Sequence, residues 1–530
     1  MHGAHGRLAA RSAKVTVAST AIPEERPINR TMITISVMLA TIMTVLDTTI
    51  ANVALPHMAG SVSASADQIT WVLTSYIIAT AIMTPMTGWL AGRLGTKRVF
   101  LISIVGFSLA SALCGAAQSL EQIVLFRILQ GLFGAAMGPL SQSVLLDTYP
   151  IEERGPAMAV WGMGIMVAPI VGPVLGGWLT DDFSWRWVFY INIPVGALCL
   201  LGVMTFIPDD KATRKLPFDI MGFALLSVAL GAFQLFLDRG QNNDWFSSTE
   251  TLMEMSVAAV AFILFIVHTM TAERPFLPVE LLGDRNFVTA TIMSLSVGLL
   301  VFSVLALLPP MLENLMGYPV ITTGLVTAPR GVGSLISMFI GGRVVGRIDN
   351  RLIIMFGLTM FGLSYFGMSH FSLQMNSFVV ASTGFVQGLG TGFVFTPMTM
   401  VAFSTLDPAL RPDGTGVFTL SRNLGNSAGI SIMQALFTRT SQTVHARLVE
   451  PLRLDNPVTQ ALAAPFSLHT PTGLAALESE VARQAAMVAY VDVFHLMFLT
   501  TAVMIPLVLL LKPSSRAGGA AVEDEAILIE

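Results

Sequence analysis

The sequence predicts an all-helical membrane protein, and three observations carry that prediction. Hydrophobic residues make up 53% of the 530 residues and charged ones 12%, against roughly 25% charge in an ordinary soluble domain. Mean hydropathy is +0.71, and the apolar residues gather in repeated runs of about 20, the length that crosses a bilayer as a helix. Short alternating strands of the kind that build a membrane barrel are absent.

Taken in order, the runs read as fourteen spans, at residues 32–55, 69–91, 98–117, 122–148, 157–180, 187–207, 219–238, 251–270, 287–309, 321–345, 352–371, 377–403, 414–437 and 488–511. With the N-terminus inside, the inner segments together with the inner ends of the spans (Arg98 and Arg343) hold 20 of the 29 Lys and Arg residues, the outer loops 6 and the rest of the spans 3. Four of the outer six sit in one long loop, 438–487, where the positive-inside rule has little force. Both termini are therefore expected in the cytoplasm. Residues 1–30 carry no apolar h-region, so no cleaved signal peptide is expected.

An internal repeat sets the domain plan. Residues 88–97 read Gly-Trp-Leu-Ala-Gly-Arg-Leu-Gly-Thr-Lys, and residues 342–351 read Gly-Arg-Val-Val-Gly-Arg-Ile-Asp-Asn-Arg, 254 positions later. Gln130-Gly-Leu in span 4 returns as Gln387-Gly-Leu in span 12. These echoes lie eight spans apart, which two six-helix halves and a two-helix insert explain. The expected units are a cytoplasmic tail 1–30, a first half 31–207, the insert 208–285, a second half 286–511 including the outer loop, and a tail 512–530. Residues 273–285 mix charge with bulky apolar groups, as a short interfacial helix does. The last tail is small, polar and acidic, the composition of a disordered segment.

Asp47, in span 1, is the first candidate for chemistry, because an ionisable residue within a span is costly and functional by default. Desolvation favours its neutral form, so proton exchange near neutral pH is expected. Arg127 in span 4 is its natural partner. Asp47 lies eight residues from the outer end of its span and Arg127 about six, roughly 12 and 9 Å deep at 1.5 Å per residue. The plainer alternative is a permanent ion pair that fixes helix register. Asp492 and His495 enter span 14 near its outer end, where the acid either snorkels to water or relays protons with the imidazole. Asp147, Asp219 and Asp349 fall at inner helix ends and read as cap residues. Arg330 and Arg422 lie in apolar runs of the second half with no carboxylate partner evident from sequence.

Span 5 is apolar yet rich in helix breakers. Gly164, Ala168, Gly172 and Gly176 recur every fourth residue with Gly177 beside them, and Pro169 and Pro173 share the spacing. A helical face without side chains lets another helix approach closely. The plain reading is a tight static contact; the two prolines favour a helix built to bend and slide. This stretch resembles the antiporter motif of the drug:proton antiporters in the major facilitator superfamily. The loop with Gly88, Gly92, Arg93, Gly95, Lys97 and Arg98 resembles motif A of that superfamily, an inner gate. The family often carries an acid where this chain has Gly92, and Asp349 in the echo loop is the candidate substitute.

Met (30) and Phe (32) are abundant. Most of this is membrane-compatible filling, and the sharper reading is a deformable cavity wall. Trp71, Tyr76, Gln130 and Arg422 are the candidates for such a wall, although Trp and Tyr also mark membrane interfaces. Cys114 and Cys199 fall in apolar runs and read as small hydrophobes. There is no phosphate-binding Gly-x4-Gly-Lys loop, no metal-ligand spacing and no basic stripe for nucleic acid. Nothing points to an enzyme, a cofactor or a metal.

Together with residues 46–56, 184–194, 422–429 and 490–494, these motifs make the chain similar to the fourteen-span drug:proton antiporters, the EmrB/QacA group, over roughly residues 30–511. The resemblance implies a major facilitator fold with fourteen transmembrane helices in a bacterial inner membrane. It implies proton-driven multidrug efflux of amphiphilic, often toxic, small molecules, with the proton gradient as energy source. In two-membrane bacteria it further implies a periplasmic adaptor and an outer-membrane channel as partners, for which the outer loop 438–487 is either a docking surface or a flexible cover. Two rivals stand beside it. One is a dedicated exporter of a single endogenous molecule, such as a siderophore or lipid precursor. The other is a membrane sensor or scaffold that transports nothing.

Overall fold

A computed structural model describes residues 29–209, 218–241, 243–453, 455–456, 466–468 and 470–512. The expectations for both tails therefore lie almost wholly outside the described residues. Among those described, the chain is built of helices, with no strand. Helix starts carry short polar side chains that accept the first free backbone N–H groups. Asn29 accepts from the N–H of Met32, Ser119 from Gln122, Asp284 from Phe287 and Asn376 from Val379. Such caps matter most in lipid, where water cannot satisfy a helix end.

The first half comprises α1 (Arg30–Ser61), α2 (Trp71–Met83), α3 (Met86–Leu94), α4 (Thr96–Ala116), α5 (Leu120–Gly134), α6 (Met137–Thr148), α7 (Ile151–Asp182) and α8 (Asn192–Phe206). Spans expected as single helices over 69–91 and 122–148 are each two. Pro85 lacks the N–H that would continue α2 into α3, and the second break falls at Ala135 and Ala136, after Gly131 and Gly134. The insert is α9 (Ile220–Arg239) and α10 (Thr249–Thr271), followed by the expected short helix, here Glu280–Gly283. The second half holds α11 (Arg285–Pro310), α12 (Val320–Val344), α13 (Asn350–Met368), α14 (Ser377–Ala402), α15 (Arg411–Val449) and α16 (Pro471–Leu507).

Counting α5 and α6 together as one, eleven of the described helices are long and apolar enough to cross a membrane. The expected spans outside that set are 69–91, 321–345 and 414–437. All three are helical, but the first is broken and the others are diluted by Gly, Ser, Thr, Asn and Arg. The outer loop needs correction: residues 438–449 and 471–487 are not loop but continuations of α15 and α16. Hydropathy stops at the lipid boundary, whereas Gln, Arg, Ala and Glu propagate a helix equally well in water. His445 and Glu478 clasp the two extensions at 2.9 Å.

Each half has its own core, around Phe100, Phe107 and Met137 in the first and Phe287, Phe361 and Phe494 in the second. The insert packs α9 against α2 and α15, with Leu226, Leu230, Ala81 and Leu420 in one cluster. One turn apart on α9, Gln234 donates to Ser427 of α15 at 2.5 Å, and Asp238 accepts from Thr74 of α2. The halves meet at the end where α1 begins, called here the near end. There Arg411 pairs with Asp147 at 2.9 Å, and the faces of α7 and α12 touch through Gly155 and Gly342.

Candidate functional site

The site grows from α1. Its turns between Thr41 and Ile50 bury Met43, Asp47 and Ile50 completely, and only one of these carries a charge. Arg127 on α5 is equally buried and donates to Asp47 Oδ2 at 2.6 Å. Gln130, one turn along α5, donates to the other carboxylate oxygen at 2.8 Å, and Asn192 at the start of α8 donates to it at 2.7 Å. Asp47 thus accepts three side-chain bonds with no exposure to solvent.

The donors are themselves held. Arg127 Nε bonds the Val72 carbonyl at 3.0 Å and its Nη1 bonds Gln130 Oε1 at 2.8 Å. Nη2 has no partner, but the guanidinium lies 4.3 Å from the Tyr76 ring centre and 5.6 Å from that of Phe189, and each ring face attracts a cation. Asn192 also donates to Ser111 Oγ at 3.0 Å, which in turn bonds the Phe189 carbonyl at 2.8 Å. Cys114 Sγ lies 3.7 Å from Gln130 Oε1. Chemically, this is a fully buried carboxylate whose charge is stabilised by one cation and two amides. Adding a proton would cancel the ion pair and leave the guanidinium short of an acceptor.

The expected pair Asp47–Arg127 is therefore brought together. Gln130 and Tyr76 need correction, since neither lines an open wall: Gln130 is fully buried against Asp47, and Tyr76 is buried under Arg127. Trp71 is 37% exposed, with the Arg239 guanidinium 6.0 Å from its ring. Asn192 and Ser111 were missed. Asn192 stands in the quoted stretch 184–194, and its place one residue before Ile193-Pro194 at a helix start was the available signal. Asp492 and His495 are both exposed, and no hydrogen bond joins them.

The small-residue face of α7 packs on α1 itself. Gly164 abuts Met38, Gly172 abuts Thr49 and Leu46, and Gly176 abuts Ile50; Ala168 between them is buried. Pro173 and Gly177 face away, with nothing within 4 Å of a methyl placed on Gly177. Pro169 lies in the same unbroken helix. Thus the helix carrying the acid is the one that the side-chain-free face contacts.

At the near end, Gly88 is buried against Asp413 of α15. Gly95 ends α3 with a φ of 92°, a conformation that glycine adopts without strain. Arg93 stacks on Trp89, and Lys97 pairs with Asp209 at 3.1 Å; Gly92 lies in the last turns of α3 and Arg98 in the first turn of α4. Asp349 does not substitute for the missing acid. It caps α13 and pairs with Arg351 at 3.2 Å, because a carboxylate one residue before a helix finds its nearest donors in that helix. Arg330 donates to the Val301 carbonyl at 3.0 Å. Arg422 has no hydrogen-bond or ion-pair partner among the described residues and is only partly buried.

Comparison with known proteins agrees with this architecture. Residues 37–430 match the model of the Major Facilitator Superfamily. The chain is 35% identical over 493 residues to the multidrug export protein EmrB of Escherichia coli K12, covering 92% of this chain and 96% of that one. It is 34% identical to the fatty acid resistance protein FarB of Neisseria gonorrhoeae, covering 92% and 97%. Among solved structures it resembles the proton:xylose symporter XylE, with a TM-score of 0.57, 15% identity, and coverage of 90% and 96%. The human organic anion transporter MFSD10 gives 0.56 at 13% identity, covering 89% and 99%. Proteins with this fold are multi-pass membrane transporters, not enzymes. The chain belongs to the Major Facilitator Superfamily, in the group of the EmrB multidrug export proteins.

Proposed function

We propose that this chain is a proton-coupled multidrug efflux antiporter with fourteen transmembrane helices, working in a bacterial inner membrane by alternating access. The observation that carries the reading is the buried carboxylate of Asp47, held by Arg127, Gln130 and Asn192 on the helix that the glycine face of α7 contacts. Charge in such a site is sensitive to geometry, because little solvent screens it. A proton arriving from outside neutralises Asp47 and releases Arg127. The relaxed α1 then moves against α7, and the two halves reorient about the bilayer midplane. Cargo binds when Asp47 is ionised, so proton and drug exclude one another and exchange stays coupled.

The near end is the cytoplasmic one in this reading, since the excess of Lys and Arg gathers there. The structure then corresponds to the state closed to the cytoplasm. A periplasmic adaptor and an outer-membrane channel would meet the opposite end. Drug-driven proton release from purified protein is the test. It should be measurable in the native chain and absent in Asp47→Asn; equal release from both would remove Asp47 from the mechanism.

A second reading concerns cargo. Among the described residues Arg422 is a guanidinium without a counter-ion, on a helix of the second half, and a relative is named for fatty acid resistance. Both favour amphiphilic carboxylates among the exported molecules, over a single siderophore-like metabolite. A resistance panel comparing long-chain fatty acids with cationic dyes separates the cargo classes.

A further inference from the structure

The near-end seam holds a carboxylate that the scheme above does not use. Asp413 stands in the first turn of α15 and is wedged on Gly88 of α3, in the other half of the molecule. A methyl placed on Gly88 would overlap Asp413 Oδ1 and lie 2.6 Å from both its Cα and its Cγ. The acid therefore rests against backbone hydrocarbon, in a notch that only glycine leaves open. Among the described residues no hydrogen bond or ion pair reaches either carboxylate oxygen.

The charged groups around the seam are engaged elsewhere. Arg411, on the same helix, is taken by Asp147 of α6 at 2.9 Å. Arg93 of α3 stacks on Trp89, with 5.2 Å between guanidinium and ring centre. Arg154 at the start of α7 donates to the Tyr149 carbonyl at 3.1 Å. Asp407 caps its own turn by accepting from Ala409 at 2.8 Å, and Arg285 at the start of α11 is exposed to solvent. The start of α15 favours negative charge through its dipole, but no backbone N–H bonds the Asp413 side chain. Asp413 is partly buried in the seam, and a carboxylate so placed without a donor holds a proton more readily than one in open water. Closing the seam therefore favours the protonated form, and parting of α3 and α15 would give the ionised form more water.

We propose that Asp413 is a second proton-binding site of this chain, filled while the seam between α3 and α15 is closed and emptied when the seam opens. The site lies at the opposite end of α1 from the Asp47 network and does not depend on Asp47 being the coupling acid. Its proton would leave to the near-end solution, so the closed state would be favoured by acid on that side. Neither the arginine–aspartate bridge nor the glycine contacts between α7 and α12 would supply such a dependence, since neither loses charge near neutral pH.

The seam opening can be read by spin labels on Glu152→Cys and Ala409→Cys, both exposed positions flanking it; the two native cysteines are buried. Distances are measured on the full chain in nanodiscs between pH 5 and 8. The native chain is expected to shift from short to long distances as pH rises. Asp413→Asn, neutral throughout, should hold the short distance across the range, with its pH response reduced at least tenfold. Gly88→Ala, which fills the notch, should give the long distance at every pH, so a poorly folding Asn variant leaves the idea testable. A native-like pH response in Asp413→Asn overturns the proposal, as does a native seam that ignores pH. If the response vanishes in Asp47→Asn but persists in Asp413→Asn, the proposed function stands and this second site does not.

Discussion

The two halves repeat one scaffold but load it differently. At the 254-residue offset of the glycine-rich repeat, Tyr76 of α2 corresponds to Arg330 of α12; the later echo pairs Gln130 with Gln387. In the first half the glutamine donates to a carboxylate and the cation sits on α5. In the second, Gln387 donates to the Tyr365 hydroxyl at 3.1 Å, its Oε1 has no partner, and the cation sits on α12 bonded to a backbone carbonyl. One half thus carries a charge pair that a single proton dissolves. The other carries a cation bonded to a backbone carbonyl, with the Tyr365 phenol rather than a carboxylate beside it. Similar helices can therefore divide labour between a responsive half and a passive one.

The largest expected effect falls on this contrast. Asp47→Asn should reduce drug-driven proton exchange to background and, by leaving Arg127 uncompensated, destabilise the protein by about 3–5 kcal/mol. Arg330→Gln should leave the pH dependence of transport in place. Transport assays in vesicles at two pH values decide between them, and equal losses would end the division of labour.

A second comparison uses the paired glutamines. Gln130→Leu removes a bond to a charged group and should cost about 1.5–3 kcal/mol, whereas Gln387→Leu removes a neutral bond and should cost about 0.5–1.5 kcal/mol. Thermal unfolding in detergent would show the order, and its reversal would contradict the geometry. A third concerns close approach. A methyl on Gly425 meets the Leu295 carbonyl, which is backbone, while one on Gly164 meets the flexible Met38 side chain. Gly425→Ala should cost about 1–3 kcal/mol through overpacking, and Gly164→Ala less, by the same measurement.

The smallest effect belongs to the insert. Burial opposes ionisation of Asp219, but the N–H of Gly222, the His268 imidazole and the N–H of Phe276 outweigh it and hold the carboxyl below its usual range. A carboxyl lowered in the folded state contributes stability above its unfolded value, near 3.9, and loses it as pH falls through the folded value. The hydrogen-exchange protection factors of α9 should therefore stay flat from pH 7 to 5 and fall only below about 4. Asp219→Asn should remove that step.

Helix positions were legible in the sequence because lipid imposes an apolar period on every element it surrounds. Asp47 and Arg127 stood out for the same reason: each is a charge where none is tolerated without a partner. Asn192 and Ser111 did not, because neutral polar groups are common near helix starts and only packing shows what they face. Gln130 was noticed through its repeat but assigned to the wrong surroundings, since depth along a helix says nothing of direction around it. Asp349 looked like a gate acid by spacing, yet its nearest donors belonged to its own helix. The ends of α15 and α16 were invisible to hydropathy because they lie beyond lipid.

Those two helices have a mechanical corollary. At 39 and 37 residues and 1.5 Å per residue they run roughly 58 and 56 Å, nearly twice the ~30 Å of hydrocarbon in a bilayer. The excess stands out from the bundle as a stiff antler, rooted in the passive half. A small tilt at the base becomes a broad sweep at the tip, so anything grasping that tip is pulled in time with the pump.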